Sequence, residues 1–147
     1  MKKFLAAAAT AACLATPALA ADGVVTYETD DSFDDVVFGL ENAIVDAGLV
    51  IDAVSHVGDM LERTKGDVGS PVTIFEKADV YSFCSAAVSR KVMEADPMNL
   101  VFCPYNIFVA QQPDQKVMIG YREFPEGPMQ EVQTMLDDIA RAAIGQD

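Results

Sequence analysis

The sequence predicts a two-layer α+β domain: a mixed or antiparallel sheet of about five strands with helices packed on one face. Three observations carry this. Short runs rich in β-branched and aromatic residues alternate with longer stretches whose apolar residues recur at helical spacing. The last two short runs are separated by Gln112-Pro113-Asp114-Gln115-Lys116, turn chemistry that predicts an antiparallel hairpin. The chain has 147 residues, and a predicted leader of 20 leaves 127, enough for one core and too few for two ordinary domains.

The elements follow in order. Val24 to Glu28 reads as the first strand. Ser32 caps the first helix, with Asp35 at its third position in a variant capping box. Phe33, Val36, Val37, Leu40 and Ile44 form the stripe of that helix, and Gly48 ends it. Leu49 to Val54 is a second strand, and Gly58 to Lys65 a short, partly exposed helix. Gly66 to Gly69 is a polar break before a third strand over Val72 to Glu76. Val80, Phe83, Cys84, Ala87 and Val88 mark a second long helix, which Asp96-Pro97 stops. Leu100 to Phe102 reads as a packed loop. Tyr105 to Gln111 and Val117 to Arg122 form the hairpin. Gly127-Pro128 opens the last helix, whose buried face is Met129, Val132, Met135, Leu136, Ile139 and Ala143. The whole of 21–147 is thus one domain, without repeats or linkers.

The leader sets the compartment. Lys2 and Lys3 precede an apolar run from Phe4 to Leu14, and Ala18-Leu19-Ala20 places small residues at a signal-peptidase site. Residues 1–20 are read as a signal peptide cleaved between Ala20 and Ala21, which predicts a periplasmic protein, off the membrane after cleavage. The run is shorter than the roughly 20 residues that span a bilayer. A lipoprotein acylated at Cys13 is the other reading, with Thr10 where a lipobox wants Leu.

Composition narrows the function. Residues are 51% hydrophobic and 22% charged, a globular balance. The net charge of −13 becomes −15 once Lys2 and Lys3 leave, which repels phosphate backbones and anionic membranes and argues against a nucleic-acid partner. With no Trp and one His, parts for catalysis are few. No nucleophile elbow, phosphate loop or dinucleotide fingerprint occurs. These features argue against an enzyme.

Few residues could carry chemistry. Cys84 and Cys103 are the only cysteines beyond the leader, and an even count in an oxidising space reads as a disulfide. It would join the middle of the second long helix to the loop before the hairpin. The sharper alternative is a redox or metal-binding thiol pair. Cys103-Pro104-Tyr105 resembles part of the glutaredoxin Cys-Pro-Tyr-Cys, but Asn106 stands in the fourth place and the motif leads into a strand, not a helix. His56 and Met60, four apart, offer an imidazole and a thioether suited to copper or haem iron. The bland reading is a histidine that hydrogen-bonds a turn and a methionine in the core. Asp30, Asp31, Asp34 and Asp35, like Asp137 and Asp138, read as solvated acids.

With these elements in place, the chain resembles the domain of unknown function 302 family from about Val25 to Pro125. The residues that carry this are Ser32-Phe33, Gly48, Val54-Ser55-His56, Thr73-Ile74-Phe75, Pro104, Ile119-Gly120-Tyr121 and Pro125. Pro104, Tyr121 and Pro125 hold the family's motif positions. Glu76-Lys77-Ala78 stands where the family often has Gly-Asn-Pro, and Cys103 replaces the Leu of its Leu-Pro. The resemblance implies a compact α+β domain that dimerises, in a cysteine-containing exported subgroup, with no catalytic residues to carry over. The expectation is a non-enzymatic domain that binds a small molecule or a partner protein, stapled by one disulfide and working as a homodimer. The alternative is a periplasmic redox or metal accessory using His56 with Met60 or the cysteine pair.

Overall fold

The computed structural model describes residues 23–146; the signal peptide, its cleavage site and Cys13 lie outside the described residues. Five strands form one sheet in the order β1-β5-β4-β3-β2: β1 Val24–Thr29, β2 Ile51–His56, β3 Lys77–Phe83, β4 Tyr105–Gln111 and β5 Val117–Arg122. Every neighbouring pair is antiparallel, so the mixed alternative drops out. The helices are α1 Phe33–Asp46, α2 Val57–Thr64, α3 Ala86–Ala95 and α4 Gln130–Ala143, with a 3-10 helix over Pro97–Phe102.

Local chemistry sets the helix starts. The Ser32 Oγ accepts the Asp35 N–H, the N-cap half of the expected capping box, while the Asp35 carboxylate accepts the Ser32 hydroxyl proton in place of the reciprocal backbone contact. Ser85 caps α3 by accepting the Val88 N–H, and Asp96 caps the 3-10 helix by accepting the Met98 N–H. The last helix begins at Gln130, two residues after Pro128.

The core lies between the sheet and α1, α3 and α4. Leu40 and Ile44 of α1, Ile107 and Val109 of β4, Ile119 of β5 and Leu136 of α4 are all but fully buried. At Gly39 a Cβ would stand 2.2 Å from the Ala143 carbonyl oxygen, so only glycine lets α1 and α4 approach this closely. α2 packs against β3 at the far end of the sheet.

The sequence reading misplaces the middle of the chain. Val72 to Glu76 lies outside the ladder, with Val72 and Ile74 exposed, and the third strand is Lys77–Phe83 instead. The strand is central, between β2 and β4, so it carries apolar residues on both faces: Tyr81 and Phe83 towards the helices, Ala78 and Val80 away. That erases the period of two, and the spacing from Val80 to Val88 imitates a helix while straddling a strand end and a helix start. Cys84 therefore sits in the two-residue link between β3 and α3, not in mid-helix, and Leu100 to Phe102 is part of the 3-10 helix.

Candidate functional site

Strand alternation sorts the sheet into two faces. Tyr105, Ile107 and Val109 of β4, with Val117, Ile119 and Tyr121 of β5, point to the helices and are buried. On the opposite face Val24, Val80, Phe108 and Met118 are half-buried, and the residues fully covered are the small Ala78, Ala110 and Gly120. The Phe108 ring lies over Gly120: a Cβ there would come within 2.8 Å of Phe108 Cζ and 2.4 Å of the Val25 carbonyl oxygen. On β1, β3, β4 and β5 this face carries two charges, Glu28 and Arg122, of opposite sign. Ile107, Val109 and Tyr121 thus belong to the covered face, and Met118 to the open one.

The two thiols meet at the opposite end of the molecule from α2. Cys84 follows β3 and Cys103 follows the 3-10 helix, and the register Phe83↔Tyr105 brings their backbones side by side. Both are part-buried, with Sγ atoms 2.7 Å apart. Burial first, and then the neighbouring Cys103, push the Cys84 thiol up to about 11. Pro104 between them and β4 follows a cis peptide bond. Pro125 stands at the other side of the same end, beside Phe124, whose ring packs on Phe102 and Tyr105.

His56 and Met60 take separate partners. His56, just ahead of α2, puts Nδ1 2.8 Å from an Asp79 carboxylate oxygen and keeps 61% of its side chain exposed. The hydrogen bond to Asp79, and then its charge, raise the imidazole pKa above the usual 6.5. Met60 lies 42% exposed, its sulfur 4.0 Å from the Thr64 hydroxyl. Among the described residues no group of three or more His, Cys, Asp or Glu side chains could hold a metal ion, and no helix is long and apolar enough to cross a membrane.

One constellation escaped the sequence reading. Tyr27 of β1 and Tyr121 of β5 both donate to the same Asp137 carboxylate oxygen, Tyr121 at 2.6 Å. Burial, then Asp137, push the Tyr27 phenol up to about 12 and the Tyr121 phenol higher still. The network ties α4 to the edge strand. Asp137 lies on the buried side of α4 at helical spacing from Gln133 and Ala140, the one signal that separated it from the exposed Asp138.

No curated protein matches the sequence. A crystal structure described as an uncharacterized conserved protein DUF302 from Bacillus stearothermophilus has a similar fold, with a TM-score of 0.61 and 15% identity, over 84% of this chain and 94% of that one. Residues 25–143 match the family described as Domain of unknown function DUF302, which extends the expected likeness beyond Pro125 to the end of α4. The chain belongs to that family.

Proposed function

We propose that this protein is an exported, non-enzymatic binding domain of the periplasm, cut after Ala20, stapled by a Cys84–Cys103 disulfide, and paired with a second copy through its open sheet face. The observation that carries this is the character of that face. In a chain of net charge −13 it bears one Glu and one Arg around Val24, Val80, Phe108 and Met118. Two copies meeting there bring together one Glu and one Arg each rather than a run of carboxylates, and an apolar sheet face in water calls for a cover. Ser82 and Asn106 hydrogen-bond each other, which offsets the cost of covering those two side chains.

The staple rests on proximity and parity: the thiols stand 2.7 Å apart and are the only two past the leader. A redox role for the same pair has less support. Burial, and then the neighbouring Cys103, favour the neutral Cys84 thiol over the thiolate that redox attack requires. A copper or haem site at His56 and Met60 gains no support from an imidazole already tied to Asp79.

Native mass spectrometry without reductant, on protein purified from the periplasm, tests the reading. The expected mass is twice the chain from Ala21, less two hydrogens per subunit. Phe108→Glu should give monomers with an unchanged circular-dichroism spectrum. A monomer in the parent protein, or a dimer untouched by Phe108→Glu, overturns the interface; bound copper or haem overturns the non-redox assignment.

A further inference from the structure

A second surface, remote in character from the open sheet face, also has the make-up of a docking site. The 3-10 helix Pro97–Phe102 exposes three large apolar side chains in six residues: Met98 at 67%, Leu100 at 62% and Val101 at 64%. This is not a frayed turn. Asp96 caps its start, Asn99 Nδ2 donates to the Val92 carbonyl at 2.8 Å, and the Phe102 ring packs on Phe124. The element is fixed from within while its apolar side faces solvent.

Beside it runs an open trough of about 510 Å³. Met98 and Val101 form one wall, Pro125 and Pro128 the other, with Phe102 and Met129 between them. The prolines hold one wall rigid, which lowers the ordering cost of binding. Methionine walls adapt to differently shaped apolar side chains. The charges of the trough have one sign: Asp96 and Glu126 line it and no Lys or Arg does. Arg122 lies over the Phe102 ring, 5.2 Å from its centroid, and does not line the trough.

We propose that this trough is a docking site for a peptide segment of a partner protein that carries two or three large apolar side chains flanked by Lys or Arg. Apolar walls take the anchors, and Asp96 and Glu126 meet the flanking cations. A second copy of the chain fits poorly, because with 23 Asp and Glu against 10 Lys and Arg it offers few cations to the acidic rim. The site rests on different apolar residues from the proposed dimer face, which it adjoins where Arg122 lies over Phe102, and stands or falls without it.

The test uses fluorescence anisotropy of the mature protein with three labelled peptides: alternating Leu/Lys, Leu/Glu and Ser/Lys. Saturable binding of Leu/Lys alone is expected, at low salt and at 0.3 M salt, where nonspecific attraction is screened (the Debye length is about 10 Å at 0.1 M and shorter above it). Met98→Ser with Val101→Ser, both exposed and lining the trough, should weaken it at least tenfold, and Glu126→Lys about fivefold, with melting unchanged. Equal binding of Ser/Lys, binding indifferent to those substitutions, or binding only to anionic lipid vesicles overturns the proposal.

Discussion

Along β4, Tyr105, Ile107 and Val109 are buried under helices, while Phe108, one residue away from two of them, is half exposed on the other side. The same strand thus presents a finished interior and an unfinished one. On the finished face aromatic and branched side chains interlock with α1 and α4. On the other, the Phe108 ring lies over Gly120 and stays half exposed. The difference shows which half of the sheet's apolar surface folding consumes and which it leaves for association.

The largest effect should come from the finished face. Ile107→Ala removes a fully buried side chain beneath two helices and should cost about 2–5 kcal/mol in a denaturant melt. Phe108→Ser, its neighbour on the open face, should leave the monomer's melt nearly in place and act on self-association instead. Equal losses of monomer stability from both would erase the distinction between the faces.

Next is the end of the sheet where the thiols meet. A disulfide between Cys84 and Cys103 closes 20 residues and is worth roughly 3 kcal/mol by loop-closure entropy. Cys84→Ser and Cys103→Ser should each lower stability by about that amount, and the double substitution by no more than either. Additive losses would mean that the thiols pack independently and no bond joins them.

The unevenness of the two faces also explains what the sequence told and what it hid. α1 was legible because its stripe is one-sided: Phe33, Val36, Leu40 and Ile44 are buried, and Ser32 with Asp35 marks its start. The hairpin of β4 and β5 was legible from its turn. β3 was not, because a central strand with apolar residues on both faces has no alternation to read, and Ser85, its true boundary with α3, looks like any other serine. The cysteine pair was legible from parity alone. The Tyr27–Asp137–Tyr121 network was not: its members are up to 110 positions apart in sequence, and only the β1–β5 register brings the phenols together.

That network gives the third prediction, on the covered side of β1 and β5. Tyr121 is 2% exposed, so Asp137→Ala leaves its hydroxyl stranded and should cost about 1–3 kcal/mol. The phenols also set a pH limit. Unfolded tyrosine loses its proton near 10, whereas folded Tyr27 keeps it to about 12, chiefly through burial. Its contribution is complete below pH 10 and disappears as pH climbs through about 12. Tyr81, Tyr105 and Tyr121 shift in the same direction. Phenolate absorbance should therefore stay flat past pH 10 and rise only with unfolding, whereas in Asp137→Asn the Tyr27 phenol, freed of the adjacent charge, should ionise earlier. A normal titration near pH 10 in the folded parent protein would contradict the network.

The smallest effect belongs at the far, solvent-facing end, and it distinguishes a turn contact from a metal ligand. His56 pairs with Asp79, across the β2–β3 register and in water, so the bond holds little more than the orientation of one ring. Its raised pKa fixes the sign: the protonated ring is favoured in the folded state, so its contribution is complete below about 6.5 and fades as pH rises through the higher folded value. His56→Ala should change stability slightly at pH 5–6 and not at all at pH 8–9, measured in parallel urea melts. A ring that served copper or haem would behave in the opposite way, since a metal needs neutral imidazole: adding Cu(II) would raise the melting temperature most at pH 8, and His56→Ala would abolish that rise. The Asp79 contact predicts no such rise, because a carboxylate that holds Nδ1 and a thioether bound elsewhere leave one nitrogen on an exposed ring, too little to keep an ion.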